Sequence, residues 1–383
     1  VSAPAPTPEQ AAAEADALKR AGAVLTIDLA AIVDNWRTLS ALAAPAQCAA
    51  VVKADAYGLG IAEVAPALWR AGALTFFVAH LNEGLRLRAL LPDAVIYVLN
   101  GLMPGTAPDL VAARLRPALG SVPEISEWSA FCRAAGESHA AAIHVDTGME
   151  RLGLSLDDAV RLSDSRRLLG FEPSLLMSHL ACADTPGHPL TLRQLSIFTD
   201  VARRFPGVPA SLANSAGTLL GRDFRFDLVR PGIFLYGGVA VSGVPPLRSV
   251  VRLDARILQV REVERGATVG YGAAQRMKRR SRIATVCVGY ADGLFRAAGA
   301  TDAKPGAEAI IAGRRCPLVG RISMDLASVD VTGLPDGAVE RGAMATLLGE
   351  GIGVDDLAAR SGTIGYEVLT SLGGRYLRRY VGG

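Results

Sequence analysis

The sequence predicts an α/β chain: a (β/α)8 barrel of the TIM type, followed by a mainly antiparallel β domain. Three observations carry this. Short β-type runs alternate with Ala/Leu/Arg segments of helical period through the middle of the chain. The alternation gives eight βα units within about two hundred residues, the span such a barrel needs. Near residue 245 the texture changes, and apolar and polar residues then alternate between Gly-rich turns.

The elements follow in order. Residues 1–22 begin Pro/Ala-rich and run into a short helix. They read as an N-terminal extension without the basic and apolar regions of a secretory signal. AVLTID at 23–28 is a strand outside the barrel count, expected to join the C-terminal domain. The barrel is expected over 29–245, with strands at 47–53 (QCAAVVK), 74–79 (LTFFVA), 94–99 (AVIYVL), 115–119 (LRPAL), 141–146 (AAIHVD), 174–179 (SLLMSH), 208–213 (VPASLA) and 226–230 (FDLVR). Helices are expected at 61–71, 82–90, 124–135, 155–163 and 191–204. PEISEWSAFCRAAG shows the start and stop signals: Pro123 in front, acidic residues early, Gly136 after the end. An open doubly wound sheet would announce itself by a glycine-rich first turn, and no GxGxxG follows the first strand. VPP at 244–246 marks the expected boundary, and 246–383 the C-terminal β domain.

Composition narrows the function classes. Of 383 residues, half are apolar and a fifth charged, enough for a sizeable core. Net charge is +3 from 40 basic and 37 acidic residues, which leaves no footprint for nucleic acid or an anionic membrane. The basic run RMKRRSR at 276–282 reads as a solvated turn. Five cysteines without a CxxC spacing make a poor disulfide framework and favour a reducing cytoplasm. Five histidines without HExxH or HxH pairs give no expected metal site. No apolar run is long enough to predict a membrane span.

In a barrel of this type the chemistry sits at the C-terminal ends of the strands. The first strand ends on Lys53, within AVVKADAYGLG. The fifth leads through VDTGMER to Arg151. The sixth ends on His179, the seventh in ANSAG with Asn214 and Ser215, and the eighth in VRPG with Arg230. Singly, each is ordinary: a strand-end lysine is usually solvated, a lone histidine usually structural, an Asn-Ser-Ala-Gly turn usually only a turn. Five strands bringing functional types to one end weaken that reading. A lysine in an apolar wall loses ammonium solvation, its pKa falls, and it can form a Schiff base with an aldehyde. Gly217 and Gly232 follow strands seven and eight, the usual phosphate position. A Schiff-base lysine with a phosphate cradle points to pyridoxal phosphate.

AVVKADAYGLG, VDTGMERLGL, SHLACAD, ANSAG, VRPGIFLYG, VGYGA, GYADG, GRISMD and GYEVL, in this order, resemble the alanine racemase family from about residue 23 to the end. The resemblance implies a cytoplasmic isomerase that interconverts L- and D-alanine and supplies D-alanine for peptidoglycan. It implies that Lys53 carries pyridoxal phosphate and is the base on one face of the substrate. Tyr57 and Ser215, with the backbone N–H groups of Gly232 and Ile233, would hold the phosphate. Arg230 would face the pyridine nitrogen. Tyr271 would be the second base, reaching in from the partner subunit of a homodimer with shared active sites. His179 would bridge Tyr271 and Arg230. Arg151 would lie by the phenolic oxygen of the cofactor and the substrate carboxylate, and the Met324 N–H would bind that carboxylate. Tyr366, with Tyr290 and Asp325, would line the way in, Tyr366 close to the cofactor.

These roles are chemically coherent. Racemisation removes a proton from one face of Cα and returns it on the other, which two opposed bases achieve. A tyrosine starts near pKa 10 and needs downward tuning, which His179 and the permanent charge of Arg230 could supply. Arginine keeps its proton, so it should leave the pyridine nitrogen unprotonated and suppress transamination. Two positions depart from the family pattern. His144 stands where many members carry a lysine that becomes carbamylated, and Glu150 stands where glycine is common. A bound anion such as chloride, or Glu150, is expected to orient Arg151 instead.

Three rival readings stay beside this one. A racemase of broader substrate range shares the same residues. A pyridoxal-phosphate decarboxylase of related fold would carry a glutamate in an EPGR-type segment where this chain has LVRPG. A non-catalytic single-barrel pyridoxal-phosphate binder would lack 250–383 and any counterpart of Tyr271.

Overall fold

The structure is a computed structural model and describes residues 7–166, 169–239, 241, 247–335 and 337–383. The boundary tripeptide at 244–246 lies outside the described residues. The chain forms two compact units. One is built mainly on Val33–Leu235, the other on the segment up to Ile32 together with Arg248–Gly383.

In the first unit the eight expected strands form in order. They are Gln47–Cys48 continued by Ala50–Val51, then Thr75–Val78, Val95–Val98, Arg116–Leu119, Ala141–His144, Pro173–Met177, Ala210–Ser211 and Leu228–Val229. Seven pair in parallel in chain order from Ala50–Val51 to Ala210–Ser211. The eighth bridges the two ends. Asp227 N–H donates to the Ala210 carbonyl at 3.0 Å and Arg230 N–H to that of Ala213 at 2.9 Å, while Leu228 and Val229 pair with Gln47 and Cys48. The ring of backbone hydrogen bonds is thereby complete.

Strand composition explains the parallel sheet. TFFV at 75–78 is buried throughout, and AAI at 141–143 likewise, as expected of strands covered on both faces. The helix Val122–Ala135 obeys its signals: the Ser121 hydroxyl caps the Glu124 N–H, and Gly136 closes the helix in a left-handed conformation. The helix Leu29–Ala43, absent from the sequence-based expectations, ends in front of the first barrel strand. Its Trp36 donates to the Cys48 carbonyl at 3.2 Å.

The second unit is mainly antiparallel. The long strand Val251–Val263 organises it. Its first half pairs with Met344–Leu348 and its second with Ser281–Val286, with register shifts in both pairings. Ser281–Val286, Ala327–Asp330, Arg314–Val319, Glu308–Ile311 and Met344–Leu348 follow one another in the sheet, and with Val251–Val263 pairing to both the first and the last, these six strands close into a small barrel. Ala23–Asp28 adds antiparallel to Val251–Val263, and Leu377–Val381 adds parallel to Ala23–Asp28. The N-terminal extension carries the helix Pro8–Arg20.

Candidate active site

Lys53 follows the first barrel strand after one residue, Val52, and opens the segment Lys53–Tyr57. This segment is a left-handed turn. Ala54, Asp55, Ala56 and Tyr57 have φ of 54°, 55°, 55° and 57°. L-residues disfavour that region by about 1–2 kcal/mol each, so the turn needs outside support. The Ala56 N–H donates to the Val52 carbonyl at 2.9 Å, and the Gly58 N–H to that of Ala54 at 2.7 Å. Asp55 accepts from the Ile61 N–H at 3.0 Å and pairs with Arg86 at 3.4 Å. Glu83 accepts from the Ala54 N–H at 2.6 Å. Burial lowers the Lys53 pKa, and the nearby Arg151 lowers it further, while Glu83 works against both.

Tyr57, at the far end of the turn, is buried, and its hydroxyl lies against Gly232. A Cβ built at Gly232 would collide with that oxygen, so any larger residue there would have to push the Tyr57 phenol aside. The Gly232 N–H donates to the Ser215 hydroxyl at 2.8 Å. Two hydroxyls and a backbone N–H thus gather past strands seven and eight, with Ile233 opening the 3-10 turn Ile233–Tyr236. Asn214 holds the seventh loop by accepting from the Gly217 N–H at 2.9 Å.

Arg230 is a buried charge with its donors satisfied. It is 4% exposed. Its guanidinium donates to the Ser211 hydroxyl, to the Ser178 carbonyl at 2.6 Å and to His179 Nδ1 at 3.4 Å, and it lies over the Phe77 ring. Burial pushes its pKa down to about 10, which leaves it charged near neutrality. Burial and then Arg230 push His179 down to about 3, so its ring is neutral. Arginine can only donate, so Nδ1 accepts and the ring proton sits on Nε2.

Two clamps position the fifth and sixth loops. Asp146 accepts from the N–H groups of Gly148 at 2.7 Å, Met149 at 2.8 Å and Arg151 at 3.3 Å. Gln194, fully buried, donates to the His179 carbonyl at 2.9 Å and to the Thr147 hydroxyl at 3.2 Å, and accepts from the Ala181 N–H at 2.9 Å. His144 is pushed down to about 4, first by burial and then by Arg230. Glu150 has φ of 54°, which explains why glycine suits this position. Its carboxylate makes no ion pair with Arg151 among the described residues.

The β unit holds the remaining predicted residues. Tyr271 opens a 3-10 turn between Thr268–Val269 and Gln275–Arg276, flanked by Gly270 and Gly272 at positive φ. It is 70% exposed. Tyr290 and Met324 are brought together by backbone bonds from the Tyr290 N–H to the Ser323 carbonyl and from the Ala291 N–H to the Met324 carbonyl, both 3.0 Å. Gly289 allows this approach, since a Cβ there would strike the Met324 carbonyl. Arg375 fastens the two segments. It donates twice to the buried Asp292, at 2.6 and 2.9 Å, and once to Asp325 at 2.7 Å. Tyr366 lies on the helix Gly365–Thr370, partly exposed.

Lys53, Tyr57, Arg151, His179, Ser215, Arg230, Gly232 and Ile233 therefore belong to one unit, and Tyr271, Tyr290, Met324, Asp325 and Tyr366 to the other. Sequence reasoning did not single out Glu83, Gln194, Ser211, Asp292 or Arg375. Asp292 stands within GYADG; the others lie in stretches with no local signal. No group of three or more His, Cys, Asp and Glu among the described residues could hold a metal ion. No helix among them is long and apolar enough to cross a membrane.

Comparison with known proteins supplies the family. The sequence profile of the alanine racemase N-terminal domain matches residues 27–240, and that of the C-terminal domain residues 250–380. The alanine racemase of Methylobacterium sp. (strain 4-46) is 57% identical over 361 residues, 94% of this chain and 98% of that protein. The biosynthetic alanine racemase of Agrobacterium fabrum is 46% identical over 96% of each chain. The crystal structure of alanine racemase from Bartonella henselae with covalently bound pyridoxal phosphate superposes with a TM-score of 0.89 at 40% identity, covering 94% of this chain and all of that one. With both domains matched in order and nearly the whole length aligned, the chain belongs to the alanine racemase family of isomerases.

Proposed function

We propose that this chain interconverts L- and D-alanine with pyridoxal phosphate by a two-base mechanism, in a homodimer whose active sites are shared. The observation that carries the reading is the pair of buried Arg230 and half-buried His179 at the strand ends that also present Lys53.

The residues present fit the cofactor. Lys53, with its lowered pKa, suits the aldehyde. The Tyr57 hydroxyl, Ser215 hydroxyl and Gly232 N–H converge where a phosphate would be held, with Ile233 beside them. Arg230 suits the pyridine nitrogen. When bound, pyridoxal phosphate supplies the electron sink that acidifies the amino acid's Cα–H.

The chain's own residues do the rest. Lys53 moves the proton on one face. Tyr271 of the partner subunit moves it on the other. The His179 Nε2–H donates to that phenol oxygen and favours its ionised form, and the charged Arg230 holds the histidine in the required tautomer. Arg151 and the Met324 N–H orient the substrate carboxylate. Asp146 fixes the Arg151 backbone by the bond already described. Tyr290, Asp325 and Tyr366 line the access path. The location proposed is the cytoplasm and the role biosynthetic, supplying D-alanine for peptidoglycan; the relative from Agrobacterium fabrum bears the biosynthetic label.

The test is incubation with L-alanine in heavy water. The reading expects D-alanine carrying deuterium at Cα and no carbon dioxide. Carbon dioxide release, or an unexchanged Cα, sinks it. A panel of amino acids with chiral detection separates an alanine-specific enzyme from a broad racemase.

A further inference from the structure

Glu83 lies on the barrel helix Leu81–Leu90, and the roles above do not use it. Its two oxygens divide their work. Oε1 accepts from the Ala54 N–H at 2.6 Å; Oε2 accepts from the N–H groups of Ala79 at 2.7 Å and His80 at 3.1 Å. Ala79 and His80 directly follow Thr75–Val78, the strand paired with Ala50–Val51. One carboxylate therefore ties the first left-handed residue after Lys53 to the end of the neighbouring strand. Short charge-assisted bonds of this kind are about twice as strong as neutral ones. The turn needs that hold, because none of its four left-handed residues is a glycine. Lys53 and Tyr57 stand at its two ends. A shift of the turn would move both at once.

We propose that Glu83 is a positioning residue: its carboxylate pins the left-handed turn to the second strand end and so fixes the Lys53 amine relative to the Tyr57 hydroxyl. The proposal rests on the roles given to Lys53 and Tyr57 under the proposed function. Glutamine has the same shape but one acceptor oxygen, so in Glu83→Gln an NH2 group faces backbone N–H donors. Aspartate keeps both acceptor oxygens on a shorter stem.

The experiment uses the full chain loaded with pyridoxal phosphate. It compares wild type, Glu83→Gln and Glu83→Asp by amide hydrogen exchange resolved to 54–58 and by steady-state kinetics with L-alanine. In Glu83→Gln, exchange at 54–58 should accelerate at least roughly tenfold while amides of the β unit keep their rates. The kcat should fall about ten- to a hundredfold, with KM moving less than about threefold, because misalignment acts on the transition state. Glu83→Asp should recover part of kcat. Wild-type exchange at 54–58, or wild-type kcat, in Glu83→Gln overturns the proposal. Borohydride trapping in wild type tests the underlying reading separately. If the cofactor is not fixed to Lys53 while exchange at 54–58 still rises, the clamp is real but positions no catalytic amine, and the proposal fails for that reason.

Discussion

The Arg230 end of the barrel and the Tyr271 turn of the β unit are built on opposite principles. Arg230 is buried, stacked over Phe77 and bound to four neighbouring groups. Tyr271 stands 70% exposed on a turn with glycine on either side. Burying a charge is costly unless its donors are satisfied, so Arg230 comes with a ready-made set of acceptors. An exposed phenol needs no such set within its own unit. The difference teaches that the barrel fixes the charge of Arg230 and the tautomer of His179 in advance; on the proposed reading, Tyr271 is instead enclosed only when a partner subunit supplies the rest of its site.

The largest effect expected is at Lys53. Lys53→Ala should abolish the yellow Schiff-base absorbance and lower racemisation by roughly four orders of magnitude, the upper range for losing a general base that also binds covalently. Retained absorbance would break the barrel side of the comparison. Tyr271→Phe comes next. It should spare cofactor binding and cut racemisation about a hundred- to ten-thousandfold. An unchanged rate removes the second base from the account.

The pH dependence of folding is a milder probe of the buried end. His179 and His144 are held near 3 and 4 against an ordinary 6.5. Below 6.5 the unfolded chain therefore binds protons that the folded chain refuses. The stability from keeping both rings neutral is complete above about pH 6.5 and drains away as pH falls toward 3, at up to about 1.4 kcal/mol per pH unit for each ring. Urea unfolding at stepped pH measures this slope, and replacing His144 by glutamine should flatten it. The smallest effect is expected at Tyr57. Tyr57→Phe removes one hydroxyl from the cradle and should weaken pyridoxal phosphate binding about tenfold, read by cofactor titration.

The sequence made the barrel legible because parallel strands covered on both faces must be nearly continuous apolar runs, and TFFV is one. It made Lys53, His179 and Arg230 legible because polar residues ending such runs stand out. The supports were not legible. Glu83 and Gln194 are ordinary helix residues by composition, and only three-dimensional folding aims them at backbone groups of Ala54 and His179. The left-handed turn escaped too. KADAY contains no glycine, so local propensity gives no warning of four residues at positive φ. Arg375 lies far along the chain from Asp292, and no spacing rule links them.

The most direct test is subunit complementation. Lys53→Ala and Tyr271→Phe chains, each nearly inactive alone, are unfolded together, refolded and assayed for racemisation. If Tyr271 serves its partner's Lys53, half of the randomly paired dimers are hybrids, each with one intact site. Activity should then return to about a quarter of wild type. Mixtures that pair fully yet stay as inactive as the parent chains would contradict a site completed across the dimer.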